Sequence, residues 1–139
     1  SLVRPAATVE IRNAAKGALI SAFTPPGTVK ALALAGSVAA VIDDVGNGTR
    51  QIERYDATTG ALLGSTGNVA VGDTLSAAAN TLVYAVAGEK VEAMDATTGA
   101  QRVLAVSPAT PIGLSIVGKR VVWAVNEHGH GQVLALTLP

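Results

Sequence analysis

The sequence predicts an all-β chain made of four-stranded antiparallel sheets that repeat along its length. Three observations predict it. The hexapeptide DATTGA occurs twice, at Asp56–Ala61 and at Asp95–Ala100. Glycine or asparagine separates paired apolar runs at matching distances from those hexapeptides. Finally, the apolar runs are short and broken by Gly, Asn and Pro too often for ordinary helices, although alanine favours helix.

The repeat can be laid out in full. VEIRNAAKGALIS (Val9–Ser21), IERYDATTGALLG (Ile52–Gly64) and VEAMDATTGAQRV (Val91–Val103) align on Asn13, Asp56 and Asp95. VLALT (Val133–Thr137) is a partial fourth copy, and the spacings are 43, 39 and 42 residues. Asp bonds its own backbone two residues on, Thr does so more weakly, and Gly supplies a left-handed residue. DATTG is therefore expected to be a hairpin turn, not a binding motif. Gly36, Asn80 and Gly118 follow the anchors by 23, 24 and 23 residues and are expected to form a second recurring tight turn. Ala40, Tyr84 and Trp123 lie just beyond and read as one repeated packing position. Glu10, Glu53 and Glu92 recur at the second place of a strand and read as a solvated face.

Each unit then holds four strands; in the middle unit they are about DTLSAAAN, TLVYAVAG, KVEAMD and AQRVLAV. Runs such as LVYAVA and VVWAV are apolar on both faces, so each sheet is expected to lie between two neighbours. Four strands per unit, a period near 40 and Gly-rich turns are the marks of a β-propeller blade. Residues 1–23 hold the last two strands of one blade, 29–65 and 73–106 two full blades, and 111–139 a three-stranded blade.

The apolar strand, D-A-T-T-G and following strand resemble the repeat of the PQQ-like (quinoprotein-like) propellers, with WD40-like propellers as the broader group. VEAMDATTGAQRV and IERYDATTGALLG carry the resemblance. It implies a bacterial protein exported to the periplasm or beyond, in a group that includes outer-membrane assembly scaffolds and quinone-dependent dehydrogenases. Many repeats of that family carry Trp shortly after the Gly. Here Leu62, Leu63 and Gly64 stand there in one repeat, and Arg102 and Val103 in the other, so no quinone site or other cofactor is carried over.

About 13 strands make little more than three blades, whereas closed propellers have about 4 to 8. Open ends would leave apolar sheet faces bare. The expectation is an incomplete ring, the C-terminal half of a larger propeller. The rest would come from another chain, a cleaved N-terminal half or a second copy. The chain opens on Ser1 with no charged start, apolar run and cleavage site, which reads as a mature, trimmed or excised product.

Composition narrows the function. The formal net charge is zero and charged residues make up 14%, which argues against nucleic acid or an anionic membrane as partner. The longest apolar stretch, Val29–Ile42, is shorter than the ~20 residues a spanning helix needs. No cysteine is present, so neither disulfides nor Cys-based zinc sites arise.

Alternate connections should gather at opposite ends of the sheets: tight turns at one end, and FTPPGT, DDVGNGTR, GSTGNVAVGD, SPATP and NEHGHGQ at the other. Binding residues favour such variable loops. Two metal candidates lie there. Glu127, His128 and His130 place two imidazoles at i and i+2, which point the same way on a strand but lack the full ligand set of a zinc site. Asp43, Asp44 and Asn47 offer hard oxygens for calcium but fall short of its usual 6–8 ligands, and Asn47-Gly48 reads better as a type I′ turn. Ser115 is no nucleophile elbow, because Val117 occupies the place that needs Gly. No catalytic set is visible. The reading is a non-catalytic scaffold or binding module acting through its long-loop face on a protein or small-molecule ligand. The alternative is half of a propeller enzyme (a lyase, hydrolase or dehydrogenase) whose essential residues sit on the missing blades.

Overall fold

The computed structural model describes residues 7–139. The hairpin turn at each anchor is built the same way three times. Asp56 Oδ1 accepts the backbone N–H of Thr58 at 2.8 Å and of Thr59 at 3.1 Å, and Gly60, at φ 80°, donates to the Asp56 carbonyl at 2.7 Å. Asp95 holds Thr97 and Thr98 at 2.9 Å, with Gly99 at φ 79°. Asn13 holds Ala15 and Lys16 at 2.9 and 3.1 Å, with Gly17 at φ 68°. The amide of Asn13 accepts as the carboxylate does, so the turn survives the change of residue. The backbone N–H groups of Thr98 and Thr97 hold the Asp95 carboxyl below its ordinary range.

These turns join thirteen strands among the described residues, β1 (Val9–Arg12), β2 (Leu19–Phe23), β3 (Thr28–Ala35), β4 (Val38–Asp44), β5 (Arg50–Asp56), β6 (Leu62–Thr66), β7 (Leu75–Ala78), β8 (Thr81–Val86), β9 (Lys90–Asp95), β10 (Gln101–Val106), β11 (Ile112–Val117), β12 (Arg120–Glu127) and β13 (His130–Thr137). All pair antiparallel with their chain neighbours, in four sheets: β1-β2, β3-β4-β5-β6, β7-β8-β9-β10 and β11-β12-β13. Strand β7 touches both β3 and β11, so the first strands of successive sheets converge, as the inner strands of propeller blades do.

Each gap between sheets is filled by its own core. Phe23, Ala39, Val41 and Tyr55 fill the first, with the Phe23 and Tyr55 rings stacked at 3.9 Å. Ala40, Ile42, Ile52, Leu82, Tyr84 and Met94 anchor the second. Val83, Val91, Ile116, Val121, Trp123 and Val125 anchor the third. Each fully buried Val, Leu or Ile contributes about 1.5–3 kcal/mol. The many alanines at strand positions let the sheets approach closely. Arg54 staples the second gap: its Nη1 donates to the carbonyls of Ala96 and Thr97 at 2.7 and 3.2 Å. Gly64 and Gly99 leave its guanidinium room, since a β-carbon there would come within 2.8 and 2.6 Å of Nη2.

Two expectations need correction. The second landmark turn is set by Ala79, at φ 50°, not by Asn80. Asn80 is the next residue, and its side chain instead ties the neighbouring turn, donating to Asp95 Oδ1 at 3.1 Å and accepting from Thr97 Oγ1 at 2.9 Å. With Ala79 in place, the turn residues Gly36, Ala79 and Gly118 each follow their anchor by 23 residues. The repeated packing position shifts accordingly. Val41, not Ala40, corresponds to Tyr84 and Trp123, since each stands five residues past its turn and faces the preceding sheet. Ala40 faces the following sheet instead. A one-residue slip in a strand exchanges its faces.

Candidate functional site

The tight turns lie at one end of the sheets, and the connections 24–27, 45–49, 67–74, 87–89, 107–111 and 128–129 at the other. At this second end the structure separates the residues the sequence grouped. Asp43, Asp44 and Asn47 do not converge. Asp43 is fully buried in the first gap. Asp44, its neighbour on the strand, turns the other way and pairs with Arg50 at 3.4 Å. Arg50 also pairs with Asp73, tying this hairpin to the connection before β7. Asn47 and Gly48 have φ 54° and 72°, with the Thr49 N–H on the Gly46 carbonyl at 2.9 Å, as a primed turn requires.

His128 and His130 do not share a strand face either. His128 and Gly129 form the β12–β13 turn, at φ 52° and 78°, and the His128 side chain is 89% exposed. Its Nε2 lies 3.9 Å from Glu127 Oε1. Among the described residues, no three His, Asp or Glu side chains gather as a metal-binding group.

The structure brings together another set that the sequence reading missed. Glu53, expected on a solvated face, is 1% exposed, and Asp43 is 0% exposed. Glu10 is exposed as expected and Glu92 is half-buried. Residues 41, 43, 51, 53 and 55 share one face of β4 and β5, because Val41 pairs with Glu53 and Asp43 with Gln51. Glu53 accepts the Tyr55 hydroxyl at 2.7 Å and the Gln51 amide at 2.5 Å. Asp43 Oδ2 accepts the Gly27 N–H at 3.1 Å, while Oδ1 is buried without a hydrogen-bond partner. Burial pushes the Asp43 carboxyl up to about 6, helped by its interaction with Glu53 and opposed by the Gly27 N–H. Burial, with the Glu53 carboxyl beside it, also raises the Tyr55 phenol.

The signal for this pair was present in the repeat. Seven residues past the turn stand Asp43, Val86 and Val125. Two copies place a buried valine there and one places a buried acid. A second polar place lies on the outer rim, where Lys90, Glu92, Gln101 and Arg102 line a shallow cleft of about 340 Å³ with Thr66 and Asn68. Glu92 there accepts from Tyr84 at 3.2 Å and Gln101 at 3.2 Å.

A scan against protein-family models finds no match, and neither does a search of curated protein sequences. Solved structures do match in fold. The computationally designed protein Ika8 superposes with a TM-score of 0.60 at 19% identity, over 90% of this chain and 41% of its own. A chain of a nidogen–laminin complex superposes with a TM-score of 0.59 at 14% identity, over 82% of this chain and 46% of its own. BamB from Moraxella catarrhalis matches at 17% identity with a TM-score of 0.45, too loose a superposition to bear on family. The described chain is thus a segment of β-propeller architecture, and it spans less than half the length of the first two proteins it matches.

Proposed function

We propose that this chain is part of a β-propeller that works as a non-catalytic scaffold or binding module through its long-loop face. The rest of the ring is supplied by further polypeptide. One observation carries this reading: the stack of sheets is bare and apolar at both ends. At the first end Leu34 is 57% exposed, and at the last Val117 and Val133 are 78% and 74% exposed. Such faces need cover in water. The fold likeness to larger propeller proteins supports the same reading.

A second reading, half of a propeller enzyme, draws support from the Asp43–Glu53 pair, because paired carboxyls with a raised pKa are common at catalytic sites. Both side chains are closed off from solvent, however, and reach no open cleft in this chain. The test is native mass by light scattering on a sizing column, with the intact mass of every polypeptide present. Completion of the ring predicts a mass near twice the chain or a co-purifying polypeptide. A compact, stable monomer of 13.9 kDa would sink it.

A further inference from the structure

The first sheet face is unfinished in a way the other interfaces make readable. Leu32 pairs with Val41 and Leu34 with Ala39, so both leucines lie on the face that carries the first core. They are nevertheless 50% and 57% exposed. Their equivalents in the next sheet, Leu75 and Ala77, pair with Tyr84 and Leu82 and are packed against Ala31 and Ala33 of the preceding first strand. In the last sheet Leu114 and Ile116 are buried in the same manner. Wherever a preceding sheet has its two inner strands, these positions are covered. Before β1 and β2 the described residues hold no such strands.

The same face carries the buried acids. At the third gap the equivalent of Asp43 is Val125, which shares a core with Val83 on the second strand of the preceding sheet. The strand that would meet Asp43 is one of the two absent here. Asp43 Oδ1 is buried with no hydrogen-bond partner, and among the described residues no cation pairs with Asp43 or Glu53. The nearby arginines are engaged elsewhere, Arg50 with Asp44 and Asp73, and Arg54 with the carbonyls of Ala96 and Thr97.

We propose that the face formed by Leu32, Leu34 and the Asp43–Glu53 pair docks the two inner strands of a propeller blade. This hairpin lays small apolar side chains on the leucines and brings one arginine or lysine to the carboxyls. The inference rests on ring completion and adds the chemistry of the completing segment. A buried acid pair gains most from a partner that is charged, desolvated and hydrogen-bonded at once. Neighbouring sheets of this chain supply the geometry of the apolar part.

The test uses a synthetic peptide copying Asp73–Val86, this chain's own inner hairpin, and a second peptide with Val83→Arg. Affinities for the chain are measured by isothermal titration at pH 7.5. The proposal expects the arginine peptide to bind at least ten times more tightly. It expects that preference to vanish in the Asp43→Val chain, a variant that adopts the residue found at Val86 and Val125, and also in Asp43→Asn, which keeps the side chain's size. If the unmodified peptide binds as well or better, the cationic partner is wrong while ring completion stands. If neither peptide binds, docking at this face is overturned, and native mass alone then decides whether the ring is completed at all.

Discussion

The first and third gaps between sheets are built from the same repeat positions and differ in one respect. In the third, Trp123 stands five residues past the turn and Val125 seven, inside an apolar core, and the indole N–H donates to Ser107 Oγ at 3.1 Å. In the first, those places hold Val41 and Asp43, and the acid lies beside Glu53. The third gap is closed by two complete sets of inner strands; the first lacks one set. The polar departure from the repeat therefore falls where the neighbour is missing. A buried carboxyl with an unpartnered oxygen costs stability in the segment as it stands. Its position at the unfinished face ties that cost to assembly.

The largest effect should come from breaking the well-made gap. Trp123→Ala removes the biggest side chain of the third core and orphans Ser107, so it should lower stability by about 3–5 kcal/mol in urea denaturation. Arg54→Ala, in the second gap, strips the Ala96 and Thr97 carbonyls of their donor and should lower stability by about 2 kcal/mol in the same assay. Glycine substitutions sharpen the comparison further. Gly17 and Gly99 hold equivalent turn positions at φ 68° and 79°. Gly17→Ala meets open space and should cost about 1 kcal/mol for its backbone alone. Gly99→Ala must also displace the Arg54 guanidinium, so its urea midpoint should fall below that of Gly17→Ala.

Much of this was legible in the sequence, and particular residues show why the rest was not. The DATTG turn could be read because Asp, Thr and Gly act within five residues of one another, and local chemistry fixes the answer. The antiparallel four-stranded units followed from the spacing of those turns. Ala79 was misread because its left-handed backbone is imposed by the two strands it joins, against the preference of its own side chain for negative φ. That one-residue offset put Ala40 in the place of Val41 and exchanged two faces. Glu53 was misread because a strand with sheets on both sides has no solvated face, and a sequence pattern does not say which glutamate the neighbour covers. Asp43 was noticed as a loop ligand, yet its meaning came from aligning it with Val86 and Val125.

The unfinished, acid-bearing gap is tested most directly by the pH dependence of its stability. Asp43 faces Glu53, Tyr55 and Asp44 from its own sheet and the Gly27 N–H from the connection before β3, while the β1–β2 side chains of this core are Val9, Ile11 and Phe23. Its folded pKa of about 6 lies above the model value of 3.8. The folded chain thus holds more protons than the unfolded one between those values, and this contribution to stability fades as pH rises through about 6. The measurement is the urea midpoint of the wild-type chain and of Asp43→Val at pH 5 and at pH 7.5. The account predicts that substitution stabilises the chain at pH 7.5, and that it shrinks the wild-type gain in midpoint on going to pH 5. A lower midpoint for Asp43→Val at pH 7.5, with an unchanged pH response, would show that the acid belongs to a finished core and contradict the account.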